Sequence, residues 1–564
     1  MRRLLKNGTV INVFTGELEK SNVLIEDDRI IGLGEYGEAD ADESMDAAGM
    51  YICPGFIDGH IHIESTMLLP VEFARAAVPH GTTAVVADPH EIANVCGKAG
   101  IRYMLERSEQ LPMTVYVMIP SCVPATEFDE SGARLEADDI VEFYGHPRVL
   151  GLGEMMNYPG VLAGNPGVMD KIHKTLERGL LVNGHAPLLS GKALDAYIAA
   201  GISDDHECSS AEEAIERIRK GQRVMIRQGT AARNLEALLP LFDEPYASRC
   251  LLVTDDKHPA DLLKHGHIDD IIRSAARQGK SAVTGIRMAT LWAAEYFGLR
   301  HVGAVAPGYK ADLVLLTDLE QVKVHSVYKD GVLVAEKGQC LPFAEAEGRQ
   351  EEEEQIRHSF CMKTMRPEDF QLDIHGKHRC RVIRLVKGEL LTEEMHTEVD
   401  FDKDNGIDLG RDVLKIAVVE RHHGTGHVGM GLISGIGLKK GAIASSVSHD
   451  AHNLIIVGTN EEDMAIAANR LCELGGGILT VAEGEIIAEM PLPYAGLMTG
   501  ADAQTAARQN DAVRESVHSL GVPQETEPFM TTAFISLTVI PHIKITTLGL
   551  VDVDRQEQVP LVED

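Results

Sequence analysis

Two histidines one residue apart, His60 and His62, stand in the stretch Pro54-Gly55-Phe56-Ile57-Asp58-Gly59-His60-Ile61-His62-Ile63-Glu64. The stretch follows an apolar run and reads as a β-strand, in which residues i and i+2 face the same way. Asp58, His60, His62 and Glu64 are therefore expected on one face, with Ile57, Ile61 and Ile63 on the other. Two imidazoles flanked by carboxylates on one strand face make half of a metal site. The other half must come from elsewhere in the chain.

The elements that could supply it are a series of apolar runs alternating with helical stretches. Strands are expected at 51–63, 82–89, 114–120, 149–155, 180–186, 202–207, 223–229 and 250–256, with helical segments such as 71–78, 170–177 and 211–220 between them. Eight such units over about 250 residues fit a closed (β/α)₈ barrel, in which functional side chains gather at the C-terminal strand ends. A doubly wound open sheet is the competing topology, but no Gly-rich fingerprint follows any strand. Glu154 lies at the end of the fourth strand, His185 of the fifth, His206 of the sixth and Asp255 of the eighth. With His60 and His62, four imidazoles and two carboxylates converge on one rim.

That donor set suits Mn²⁺, with Fe²⁺ or Zn²⁺ next, over Mg²⁺ or Ca²⁺. Two divalent cations about 3.5–4 Å apart repel and need a bridging anion. Glu154 is placed for that role. Such a binuclear centre lowers the pKa of bound water from about 16 towards about 7, so the expected chemistry is hydrolysis.

Outside the barrel, residues 1–52 and the block from Gly308 to Val334 alternate apolar and polar residues around tight turns, as short antiparallel strands do. The expected architecture is α/β: a TIM-like (β/α)₈ barrel at 54–300, with a small β-sandwich domain from 1–53 and 301–345 flanking it. An acidic linker at 346–364 and a mixed α/β C-terminal domain at 365–564 follow. In the last domain, 453–457 reads as a strand and 464–474 as a helix. His422, His423, His427, His449 and His452 form a second His-rich region there, expected to pack or turn rather than to hold metal.

The chain has 564 residues, 44% of them hydrophobic, and a formal charge of −33, which disfavours nucleic acid and anionic membranes as partners and favours a small neutral substrate. Nine cysteines show no CxxC and no disulfide framework. No apolar run is long enough to span a membrane and no signal peptide is evident, so a cytoplasmic protein is expected.

Several segments together resemble the bacterial adenine deaminase family of the amidohydrolase superfamily, over essentially the whole length. They are 54–65, Ala87-Asp88-Pro89-His90-Glu91-Ile92, Ser121-Cys122-Val123-Pro124-Ala125, Glu154-Met155-Met156 with Tyr158-Pro159-Gly160-Val161, and Asn183-Gly184-His185. Residues 227–235, Thr254-Asp255-Asp256 and Val447-Ser448-His449-Asp450-Ala451-His452-Asn453 complete the set. Glu154, where many superfamily members resembling this chain place a carboxylated lysine, narrows the likeness to adenine deaminases. The resemblance implies attack of a metal-bridging hydroxide on C6 of adenine, giving hypoxanthine and ammonia in purine salvage.

In that reaction Asp255 would move a proton from the attacking water to the departing amine, and Glu64 or His90 would protonate ring N1. Arg227, Thr230, Asn234 and Ser121 are candidate contacts to the purine edge. A homodimer is expected. The paired H-x-E and P-C-x-x-C signature of zinc-type nucleic-acid deaminases is absent as a pair. A cyclic-amide hydrolase on the same barrel and a non-catalytic scaffold are the remaining alternatives.

Overall fold

The computed structural model describes every residue except 231, 347, 387–391 and 564. Its centre is a ring of eight parallel strands: β1 (Phe56–Ile61), β2 (Thr82–Ala87), β3 (Thr114–Ile119), β4 (Val149–Met155), β5 (Leu181–Gly184), β6 (Asp204–Asp205), β7 (Arg223–Arg227) and β8 (Cys250–Val253). Strands β1 to β5 pair in sequence, as do β6 to β8. The Ser203 amide donates to the Val182 carbonyl at 3.0 Å and joins the two groups. A parallel bridge between Ile61 and Asp255 closes the ring. The strands are almost wholly buried and rich in Val, Ile and Leu, as expected when helices cover a parallel sheet.

The expected strand at 51–63 is two strands. Tyr51–Pro54 belongs to a nine-stranded sheet outside the barrel, and the chain enters the barrel only after Gly55. A side chain at Gly55 would put its Cβ 2.1 Å from Thr83 Oγ1, so only glycine lets the two sheets approach here. The strand also ends at Ile61, and Glu64–Thr66 forms a turn of 3₁₀ helix. Glu64 is therefore not on the strand face that carries His60. Asp58 is, but it lies deeper, accepting from the Thr254 amide at 3.1 Å and facing His267 Nε2 at 3.2 Å.

Strands five to eight are shorter than their apolar runs because side chains replace the ladder near the rim. Asp204 accepts from the Gly184 amide at 2.8 Å, and Asp205 accepts from the Glu207 amide at 2.7 Å. The nine-stranded outer sheet draws strands from both flanks of the barrel, with Leu313–Asp318 antiparallel to Tyr51–Pro54. Helix α1 (His90–Arg107) packs against α3 (Gln350–Arg357), whose Ile356 is fully buried within the acidic stretch.

Beyond it, an eight-stranded sheet includes β9 (Ala442–Ser445) and β10 (Leu454–Gly458), covered by α4 (Glu461–Leu474). The helix starts earlier than its apolar pattern because the Asn460 side chain caps it, accepting from the Asp463 amide at 2.8 Å. No helix among the described residues is long and apolar enough to cross a membrane.

Helix α2 (Ala211–Arg219) carries Arg217, fully buried, which donates to Asp205 at 2.8 Å and to the Ala186 carbonyl at 2.7 Å. It thus ties together the ends of β5 and β6. Arg217→Met should leave Asp205 buried without its cation and cost about 3–5 kcal/mol in a denaturant titration. The same change at exposed Arg219 should stay within about 0.5 kcal/mol.

Candidate metal centre

The six strand-end residues converge. His62 Nε2 lies 3.1 Å from Glu154 Oε1 and 3.0 Å from Asp255 Oδ1. His60 Nε2 is 3.8 and 3.6 Å from the same two oxygens. On the other side, His185 Nδ1 is 2.6 Å and His206 Nε2 3.2 Å from Glu154 Oε2. The Glu154 carboxylate therefore stands between two pairs of imidazoles, one oxygen towards each. His60 with His62 and Asp255, and His60 with Glu154 and His206, form two buried groups whose ligand atoms lie within 4.8 Å of one another.

Several features orient these donors. His62 Nδ1 donates to the Asp88 carbonyl at 2.9 Å, which leaves Nε2 for a ligand. Asp88 also accepts from the Glu154 amide at 2.9 Å. That approach is open because Gly153 has no side chain; a Cβ there would sit 2.1 Å from the Asp88 carboxylate. The chain leaves β8 through Asp255, whose φ of 58° is in the left-handed region that Asp tolerates.

Burial pushes Glu154 upward, but His185 and His206 outweigh it and hold the carboxylate well below its usual range. Burial likewise opposes ionisation of Asp255, and Arg227 with His60 and His62 reverses it. Burial pushes His62 and His206 down, but Glu154 with Asp255 and Glu207 outweighs it and holds both imidazoles well above their usual range, so in the protein alone their protons and the Arg227 guanidinium balance the carboxylates. His60 is pushed down to about 4 by burial and by His206, so it is a neutral imidazole. Its buried Nε2 has no hydrogen-bond partner among the described residues. Imidazole nitrogens and carboxylate oxygens gathered this closely in a buried pocket fit a divalent cation, which would take the place of the imidazole protons.

The other expected site residues fall into two groups. His90 joins the cluster, its Nδ1 3.5 Å from Glu154 Oε1. Glu64 is buried beside it, with Oε1 accepting from the Ile92 amide at 3.2 Å and Oε2 without a hydrogen-bond partner among the described residues. Arg227 reaches the cluster as a clamp, donating to Asp255 Oδ2 at 2.6 Å and to Glu207 Oε2 at 3.0 Å. Thr230 donates to Asp261 at 2.9 Å, and Asn234 donates to the Cys208 carbonyl at 2.8 Å. Ser121 bonds the Glu154 carbonyl from behind the site.

Glu207 was not expected. Its neighbour His206 was placed at a strand end, where alternation sends consecutive side chains to opposite faces. The chain leaves the strand after Asp205, so both side chains reach the cluster, with His206 Nε2 3.2 Å from Glu207 Oε1. The only sequence signal was a carboxylate directly after the ligand. Asp450 from the C-terminal domain was also given no role, yet it reaches His90 Nε2 at 3.6 Å.

A parallel barrel with imidazoles and carboxylates at its strand ends is the arrangement of a TIM-like amidohydrolase domain, and residues 51–334 match the amidohydrolase family model. Residues 389–557 match a second model, the adenine deaminase C-terminal domain. Adenine deaminase 2 of Carboxydothermus hydrogenoformans is 47% identical over 559 residues, covering 99% of this chain and 96% of that protein. An adenine deaminase of Desulfatibacillum aliphaticivorans is 44% identical over 99% of this chain and 97% of its own length. A solved dihydropyrimidinase from Brevibacillus agri aligns at 15% identity over 61% of this chain and 97% of that one, with a TM-score of 0.48. The chain belongs to the adenine deaminase family. Membership implies a divalent metal centre, which the donor set just described can hold.

Glu154→Gln removes the one carboxylate shared by both imidazole pairs. Purified from manganese-supplemented cells, it should hold at most half the metal of the parent by elemental analysis; full retention would exclude a shared-ligand role. Arg227→Met should release Asp255 and Glu207 and weaken metal retention against a chelator about 10–100-fold.

Proposed function

We propose that this chain deaminates adenine hydrolytically, to hypoxanthine and ammonia, at a binuclear divalent centre with Mn²⁺ as the preferred cation. The observation carrying the reading is the Glu154 carboxylate held between the His60–His62 and His185–His206 pairs. Full-length likeness to proteins named adenine deaminase selects the substrate. His60, His62, Glu154, His185, His206 and Asp255 would hold the cations, whose chemistry when bound is to make a water acidic enough to attack C6 at neutral pH.

The chain's own residues handle the protons. Asp255 turns Oδ1 towards His60 and His62 while Arg227 fixes Oδ2. Held there, it receives the proton released by the attacking water and passes it to the amino nitrogen, which leaves as ammonia. Ring N1 must also be protonated to accept electron density; Glu64 or His90 supplies that proton and is repaid by the remaining proton of the C6 hydroxyl as the C6–N bond breaks and the carbonyl forms. Each carries a buried polar atom without a hydrogen-bond partner among the described residues, Oε2 in Glu64 and Nδ1 in His90. Arg227 is assigned to positioning Asp255 rather than to the purine edge. We further read the protein as a cytoplasmic homodimer in purine salvage.

The test is a substrate panel on the Mn²⁺-loaded chain. Adenine should lose its ultraviolet absorbance with one ammonia released per base, while the cyclic amide dihydrouracil stays intact. Chelation should abolish turnover and Mn²⁺ restore it. Hydrolysis of dihydrouracil without adenine turnover would overturn the reading.

A further inference from the structure

The loop between β9 and β10 belongs to the C-terminal domain yet reaches the barrel mouth. It is held from several directions. The His449 amide donates to the Ala533 carbonyl at 2.7 Å, and Ser536 Oγ donates to the His449 carbonyl at 3.0 Å. His422 Nε2 donates to the Ala451 carbonyl at 2.7 Å, and the His449 ring stacks on Phe534 with centroids 4.4 Å apart. Asn453 Nδ2 donates to the Glu130 carbonyl at 2.7 Å, fastening the loop to the barrel.

At its centre Asp450 is 2% exposed. Its Oδ1 lies 3.6 Å from His90 Nε2 and 3.7 Å from His449 Nδ1. Its Oδ2 has no hydrogen-bond partner among the described residues. A buried carboxylate oxygen without a donor is costly, and such groups in native proteins call for an explanation. The opposite nitrogen of His90 is 3.5 Å from Glu154, so a single imidazole ring separates Asp450 from the metal cluster. A small pocket adjoins the loop beside His449, lined by Ser65, Asp256 and His258 of the barrel and by His449, Phe529 and Met530 of the C-terminal domain.

A purine with C6 over the cluster carries its five-membered ring on the far side of the molecule. In free adenine that ring bears one N–H; in a nucleoside or any N9-substituted purine the N–H is replaced. We propose that Asp450 accepts this imidazole N–H and thereby selects the free base over N9-substituted purines. The inference rests on the adenine reading above. It gives the C-terminal domain a direct contact with substrate.

The experiment compares adenine with 9-methyladenine on the Mn²⁺-loaded full chain, by ammonia release, with hypoxanthine inhibition as a binding readout that needs no turnover. The parent should prefer adenine by about 10³-fold or more in kcat/KM, as sites built around a substrate N–H do. Asp450→Leu should raise KM for adenine and the inhibition constant of hypoxanthine about 10–100-fold, with a smaller change in kcat, and should cut the preference to about tenfold or less. Asp450→Asn, which keeps an acceptor oxygen and the side-chain shape, should fall between the two.

Unchanged preference and KM in a folded Asp450→Leu would overturn the proposal. If that variant does not fold, unchanged values in Asp450→Asn would do so. A third metal equivalent in the parent, lost in Asp450→Asn, would also overturn it by assigning the carboxylate to a cation. Failure of the parent to deaminate adenine at all would instead remove the adenine reading, independently of any variant.

Discussion

A carboxylate buried between two pairs of imidazoles is the interaction on which the rest of this molecule turns. Glu154 is 3% exposed and has one oxygen towards His60 and His62 and the other towards His185 and His206. Taking such a group from water is expensive unless opposite charge is close. Protonated imidazoles supply it in the protein alone; divalent cations supply it when the same nitrogens act as ligands. The barrel exists, in this sense, to hold mutually dependent groups at a spacing that no single segment of chain could set.

Around this centre a second layer of charge fixes the first. Arg227 spans Asp255 and Glu207, so the orientation of one ligand is tied to a carboxylate beside two others. Below it, Arg217 joins the ends of β5 and β6, the strands that present His185 and His206. Asp58 does similar work between β1 and β8 through Thr254. Each of these contacts links strands at opposite sides of a turn or of the ring closure, which limits how far any ligand can drift. Precision at this donor cluster thus rests on buried ion pairs whose own contribution to stability is modest.

The C-terminal domain is joined to the barrel on the side where the centre opens. Glu130 and Ser131, from the segment after β3, meet His427, Thr547, Asn453 and His423. These bonds hold the loop carrying Asp450 against His90. In the second His-rich region His422 and His423 bond main-chain carbonyls, while His449 and His452 lie in buried groups with Asp450, His90 and Glu91.

What the residues alone determined were the strand series, its parallel ring, and the six side chains at the strand ends, because alternation within a strand and the rim rule of barrels are local or topological regularities. His60, His62, Glu154, His185, His206 and Asp255 needed no knowledge of distance. For the purine-edge candidates only the structure gives the partners: Arg227 bonds Asp255, Thr230 bonds Asp261 beyond the next strand and Asn234 bonds the Cys208 carbonyl before its own, since a side chain's partner depends on which element arrives opposite it. Glu207 escaped notice because the strand stops at Asp205, two residues earlier than expected. Asp450 escaped because it lies almost two hundred residues beyond the last barrel strand, and only packing of one domain on another brings it to His90. The candidate ligands are written along the chain; which carboxylates lie beside them is decided by long-range contacts, because charge acts through space and not through sequence.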